Sequence, residues 1–77
     1  MNTHIELKLY ATLKRFKPEF SDSYPIRSGI TVSDLLEQLG IPMEEVNLVF
    51  INDQRGNLTS TLGGGERISI FPPLGGG

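Results

Sequence analysis

The 77-residue chain contains no cysteine, no tryptophan and one histidine. Without cysteine there is no disulfide framework, no thiolate metal site and no thiol nucleophile. A reducing, cytoplasmic setting is the expectation. The single histidine, His4, has no second histidine or carboxylate pair beside it with which to build a triad or a metal set. It falls on the polar side of the first predicted strand and reads as a solvated side chain; no metal is expected. Charge of one sign is also lacking. Seven basic residues face nine acidic ones, for a net charge of −2, so there is no electrostatic footprint for nucleic acid. No apolar run approaches the about 18–20 residues that span a bilayer, and MNTHIELKL lacks the layout of a signal peptide. No membrane partner is expected.

Length sets a further limit. A chain this short makes one small domain and leaves little room for a substrate cleft. Glu44-Glu45 therefore reads as a solvated turn rather than a hydrolytic carboxylate pair. Gly63-Gly64-Gly65 is followed by a strand, not by a helix or a Gly-Lys-Ser/Thr sequence, so it reads as a tight turn and not a phosphate loop.

What is present is clear periodicity. His4 to Ala11 alternates, with Ile5, Leu7, Leu9 and Ala11 on one face, which predicts a half-buried strand. Thr12 to Lys17 is basic and predicts a helical turn before Pro18. Glu19 to Ser23 reads as loop, and Tyr24 to Ser28 as a short strand with Pro25 at a sheet edge. Thr31-Val32-Ser33-Asp34 is a capping-box pattern. Val32, Leu35, Leu36 and Leu39 then recur at helical spacing, and Gly40 and Pro42 end a helix of about nine residues. Val46 to Ile51 predicts a third strand, Asn52 to Asn57 a turn, and Arg67 to Phe71 a last alternating strand. Leu58 and Leu62 read as plugs returning to the core. One helix must cover one face of one sheet. With the first and last strands side by side and parallel in mid-sheet, the arrangement is α+β, a β-grasp over 1–71 with a mixed sheet of four to five strands, followed by a tail over 72–77.

Two features carry the functional reading. If Val49, Ile51, Ile68 and Ile70 point inward, Leu48, Phe50 and Phe71 point outward on a sheet face that should be polar. They make a candidate partner-binding patch; scattered surface apolarity is the alternative. Then comes FPPLGGG. Pro72-Pro73 ends ladder pairing and favours an extended path. Leu74 and the glycines follow, thin enough for a narrow slot, with an α-carboxylate at the tip. A frayed terminus is the alternative.

Thr31-Val32-Ser33-Asp34-Leu35-Leu36, Val49-Phe50-Ile51-Asn52, and Leu62 through Gly65-Glu66-Arg67-Ile68-Ser69-Ile70-Phe71-Pro72-Pro73 to the terminal glycines closely resemble the MoaD/ThiS family of ubiquitin-like sulfur carriers. The resemblance covers essentially the whole chain, and Phe-Pro-Pro is nearer the MoaD type. It implies a β-grasp protein that binds no cofactor and acts as a co-substrate. An E1-like adenylating enzyme would use ATP to adenylate the Gly77 carboxylate. A sulfurtransferase step would then give a thiocarboxylate. Sulfur would pass to molybdopterin or tungstopterin synthesis through a large synthase subunit. Thiamine or cysteine synthesis, or conjugation of Gly77 to lysines as a protein modifier, are the alternatives; an inert binding module is another. By the same resemblance Gly75 and Gly76 would thread the partner's slot, and Phe50, Phe71, Leu48, Pro72, Pro73 and Leu74 would contact the partner. Two departures stand out: three terminal glycines where the family has two, and Gly-Gly-Gly-Glu where x-Asp-Gly-Asp is common. With nothing after Gly77, no protease is expected to be needed.

Overall fold

The computed structural model describes residues 2–73. Strand β1 (Asn2–Leu9) opens the chain and β2 (Tyr24–Arg27) returns beside it. A two-residue strand, β3 (Ile30–Thr31), leads into helix α1 (Val32–Leu39). Strands β4 (Leu48–Ile51), β5 (Gln54–Arg55), β6 (Thr61–Leu62) and β7 (Arg67–Phe71) complete the order. The main sheet runs β2-β1-β7-β4-β5, and β3 pairs with β6 separately. β1 and β7 lie in mid-sheet and are parallel, with Leu7 opposite Ile68 and Leu9 opposite Ile70. The other pairings are antiparallel. This is the expected β-grasp, and Pro25 sits on an edge strand, where its missing N–H costs no ladder bond.

Local chemistry explains the helix. Thr31 accepts a hydrogen bond from the Asp34 N–H at 3.1 Å, and the Asp34 carboxylate accepts from the Thr31 N–H at 3.0 Å. Two further N–H groups of the first turn are satisfied from outside: Val32 donates to the Ser60 carbonyl (2.9 Å) and Ser33 to that of Leu58 (3.0 Å). Gly40 closes the helix at φ 76°. Val32, Leu35 and Leu36 are fully buried, in one core with Ile5, Leu7, Leu9, Val49, Ile68 and Ile70 from the sheet. Each such side chain contributes about 1.5–3 kcal/mol on leaving water, which an eight-residue helix needs to persist.

Four expectations require correction. Ala11 does not extend the first strand; at φ 53° it opens a 3-10 turn over Ala11–Phe16. Leu58 is not a core plug; its side chain is exposed, and it is its carbonyl that faces the helix start, accepting from the Ser33 N–H. Leu62 does plug the core, with no exposed surface. The third strand begins at Leu48, not Val46, because the Val46 N–H is taken by the Met43 carbonyl in a 3-10 turn and laddering starts only when Asn47 donates to Phe71. Finally, Asn52–Asn57 is not all turn. Asn52 and Asp53 both adopt positive φ (53° and 68°), a two-residue loop of the type I′ kind, so Gln54 and Arg55 pair back onto β4.

The Gly63–Gly65 turn depends on glycine at Gly64. Its φ is 124°, and a Cβ there would sit 2.2 Å from the Thr3 hydroxyl oxygen. Glu66 holds this turn: its carboxylate accepts from the N–H groups of Gly63 (2.8 Å) and Gly64 (2.7 Å). Partial burial pushes the Glu66 carboxyl up, but the bonds from Gly63, Gly64 and its own N–H outweigh this and leave it below its ordinary value. A lowered folded value means that the stabilisation is present above the unfolded value and fades as pH falls through the folded one. Glu66→Ala is expected to cost about 1 kcal/mol at neutral pH, because charged hydrogen bonds are discounted where solvent reaches them. Urea unfolding should show the gap to wild type narrowing below the carboxylate range; a gap constant with pH would remove the carboxylate as its source.

Candidate functional site

The helix covers one face of the sheet, and β-strand alternation sends the other set of side chains to the opposite face. Two regions differ there. At the start of β7 the face is ionic: Arg67 Nη1 meets Asp53 at 3.1 Å, Arg67 Nε approaches Glu6 at 3.8 Å, and Lys8 meets Glu6 at 3.2 Å. These exposed pairs contribute little individually, but they neutralise one another.

At the end of β7 the face is aromatic. The Tyr10 and Phe71 rings stack with centroids 4.3 Å apart and planes within 5°. Phe50 meets Phe71 edge-on, at 5.8 Å and 87°. Leu48 is the cross-strand partner of Phe71. Register explains the cluster. Phe50 lies opposite Ser69 and Leu48 opposite Phe71, while Tyr10 donates its N–H to the Ile70 carbonyl at 3.2 Å. Leu48, Phe50 and Phe71 are half-buried and Tyr10 is exposed. The expected outward set is thus gathered in one patch. Tyr10 was not among the expected contact residues, although its position in step with Glu6 and Lys8 already placed it on this face.

Pro72 and Pro73 continue from β7 without strand pairing, so the chain leaves the sheet from a central strand beside the patch. The residues expected to thread a slot and carry the chemistry, Leu74, Gly75, Gly76 and Gly77, lie outside the described residues. Of the other sequence candidates, His4 is exposed and only its carbonyl has a structural task, accepting from Gly65 N–H at 2.7 Å. Glu45 is not simply solvated; it accepts from Arg15 at 2.6 Å. Among the described residues, no three His, Asp or Glu side chains gather as metal ligands, and no helix is long and apolar enough to cross a membrane.

A family model described as Mut7-C ubiquitin matches residues 2–74. The chain belongs to this ubiquitin family. For this Mut7-C ubiquitin chain, solved structures agree on the fold. A Haloferax volcanii protein, HVO 2177, is similar with a TM-score of 0.75 at 22% identity, over 99% of this chain and 88% of its own. The H. volcanii small archaeal modifier protein 1 is similar with a TM-score of 0.67 at 22% identity, over 94% of this chain and 99% of its own. A second structure of that protein, SAMP1, gives 0.64 at 23% identity, over 95% and 98%. No curated protein matches the Mut7-C ubiquitin chain. The ubiquitin-like resemblance expected from the sequence is borne out.

Proposed function

We propose that this ubiquitin-like chain is a sulfur carrier that acts through its terminal glycine. The observation that carries the reading is the exit of Phe71-Pro72-Pro73 from a central strand, beside an aromatic patch. A partner seated on the patch would have Leu74 to Gly77 delivered to it. In the proposed chemistry an E1-like enzyme supplies ATP. The Gly77 carboxylate attacks its α-phosphorus and pyrophosphate leaves. Hydrosulfide then attacks the acyl carbon and AMP leaves, giving a thiocarboxylate. A carboxylate is a poor electrophile and an acyl adenylate a good one, so the partner performs the activation. The carrier needs reach and thinness, which fits a chain without a catalytic constellation of side chains.

Molybdopterin or tungstopterin synthesis, with a large synthase subunit as acceptor, is the first choice for the destination of the sulfur, from the Phe-Pro-Pro element. Conjugation of Gly77 to target lysines is the second reading, and the likeness to structures of a small archaeal modifier favours it. The deciding experiment is intact mass after incubation with ATP, sulfide and the activating enzyme. Replacement of one oxygen by one sulfur supports the carrier. An amide adduct to another protein's lysine, without sulfur gain, supports the modifier instead.

Phe71→Asp places a charge in the stacked cluster. It is expected to weaken docking on the activating enzyme by about 2–4 kcal/mol, the range of a buried aromatic anchor, but to lower stability by only about 1–2 kcal/mol, since the ring is half-exposed. Titration calorimetry and urea unfolding measure the two. Equal losses would make the cluster a structural element rather than a docking one.

A further inference from the structure

All three lysines of the chain, Lys8, Lys14 and Lys17, line one groove of about 260 Å3, together with Leu7, Leu9, Ser21 and Asp22. The groove has a topological origin. β2 pairs with β1 only from Asn2 to Ile5. Beyond Ile5, β1 is flanked by 3-10 turns at Ala11–Phe16 and Ser21–Ser23 in place of a ladder. Glu6 and Tyr10 donate their N–H groups to carbonyls of the β7 side, at 2.9 and 3.2 Å. Alternation therefore turns the N–H groups of Leu7 and Leu9 the other way, toward the groove. Neither has a backbone acceptor among the described residues.

The charge distribution is uneven. The whole chain carries −2, yet the residues lining this groove include three lysines and one acidic residue, Asp22. Lys8 pairs with Glu6, whereas Lys14 and Lys17 enter no ion pair among the described residues. The groove and the docking patch meet in sequence: Leu9 lines the groove, and the next residue, Tyr10, stacks on Phe71.

We propose that the groove receives the carboxylate side chains of an acidic, extended segment of the protein that docks on the aromatic patch. A compact free oxyanion fits less well. It would meet Asp22 and the outward carbonyls of Leu7 and Leu9 at close range, whereas spaced carboxylates on a chain can pair with the lysines around them. Lysine ammoniums act as point charges without a fork geometry, so the groove steers and orients the partner more than it sets affinity. The proposal rests on the reading that this end of the sheet meets a protein.

The test is a titration of the full-length, 15N-labelled protein with a capped tri-glutamate peptide, a capped tri-glutamine peptide and inorganic phosphate. Tri-glutamate is expected to shift the amides of Leu7, Leu9, Lys14 and Lys17, with binding weakened about tenfold by physiological salt. Tri-glutamine should leave them unchanged. Lys14→Glu/Lys17→Glu should abolish the shifts, and Lys14→Arg/Lys17→Arg should keep them. Equal response to phosphate and tri-glutamate would overturn the assignment in favour of a free-anion site. Shifts spread equally to Arg27 and Arg55, or none at all, would overturn it outright. None of these readouts uses the glycine tail, so failure here and failure of the sulfur-carrier reading are separately visible.

Discussion

A chain lacking Gly76 and Gly77 is expected to gain no sulfur in the ATP, sulfide and activating-enzyme incubation, to a loss of at least about a thousandfold in rate, while unfolding in urea at the wild-type midpoint. Fold and chemistry separate at the tail. The described core closes without it: its buried residues run from Ile5 to Ile70, and the final ladder contact is Phe71 with Leu48. Removing the last two residues therefore leaves every core residue among the described ones in place. The chemistry, by contrast, is proposed to occur on the Gly77 carboxylate. Shortening by two residues moves the reacting carbon by about 7 Å along an extended chain, and a misplacement of about 1 Å already costs about a hundredfold. Undiminished sulfur gain by the shortened chain would end the tail reading. A fall in the unfolding midpoint would show that the tail packs on the body.

The second large effect lies one residue before the docking ring. Ile70→Ala is expected to cost about 3–4 kcal/mol, from lost transfer energy and the cavity left behind. Ile70 has no exposed surface and stands on β7 between Leu9 of β1 and Val49 of β4. Strands on both sides limit how far the site can collapse. A domain of this size has roughly 4–11 kcal/mol in total, so the variant is close to unfolding at physiological temperature. Urea denaturation measures the cost. A loss under about 1 kcal/mol would mean that the core relaxes into the space. Placed beside Phe71→Asp, the pair separates the two faces of one strand: Ile70 holds the fold, and Phe71 is proposed to hold the partner.

Local features were legible in the residues because each is settled by near neighbours in the chain. The Thr31–Asp34 capping box, the stop at Gly40 and the positive-φ turn through Gly64 and Gly65 all occur where expected. So do the two faces of β1 and β7, because alternation needs only the strand itself. Two of the errors fell where a distant partner decides, and two at local 3-10 turns, around Ala11 and Val46. Leu58 is as apolar as Leu62, yet its carbonyl accepts from the Ser33 N–H and its side chain lies outside. Gln54-Arg55 has too little pattern to read as a strand; pairing with Phe50 and Ile51 makes it one.

The helix, the inward and outward sets of the long strands, and the glycine-ended tail are all readable along the chain. Periodicity, capping and covalent order are local properties, and they carry through any packing that buries the apolar set. Which outward residues meet is set by how the strands pack. Tyr10 and Phe71 are sixty-one positions apart by the numbering, and they stack because β1 and β7 pair in parallel with one particular register. A second feature of the sheet gathers Lys8 with Lys14 and Lys17: β2 stops pairing at Ile5, and the open edge of β1 becomes a groove. Register and strand order arise from long-range burial and hydrogen bonding, which one strand read alone does not contain.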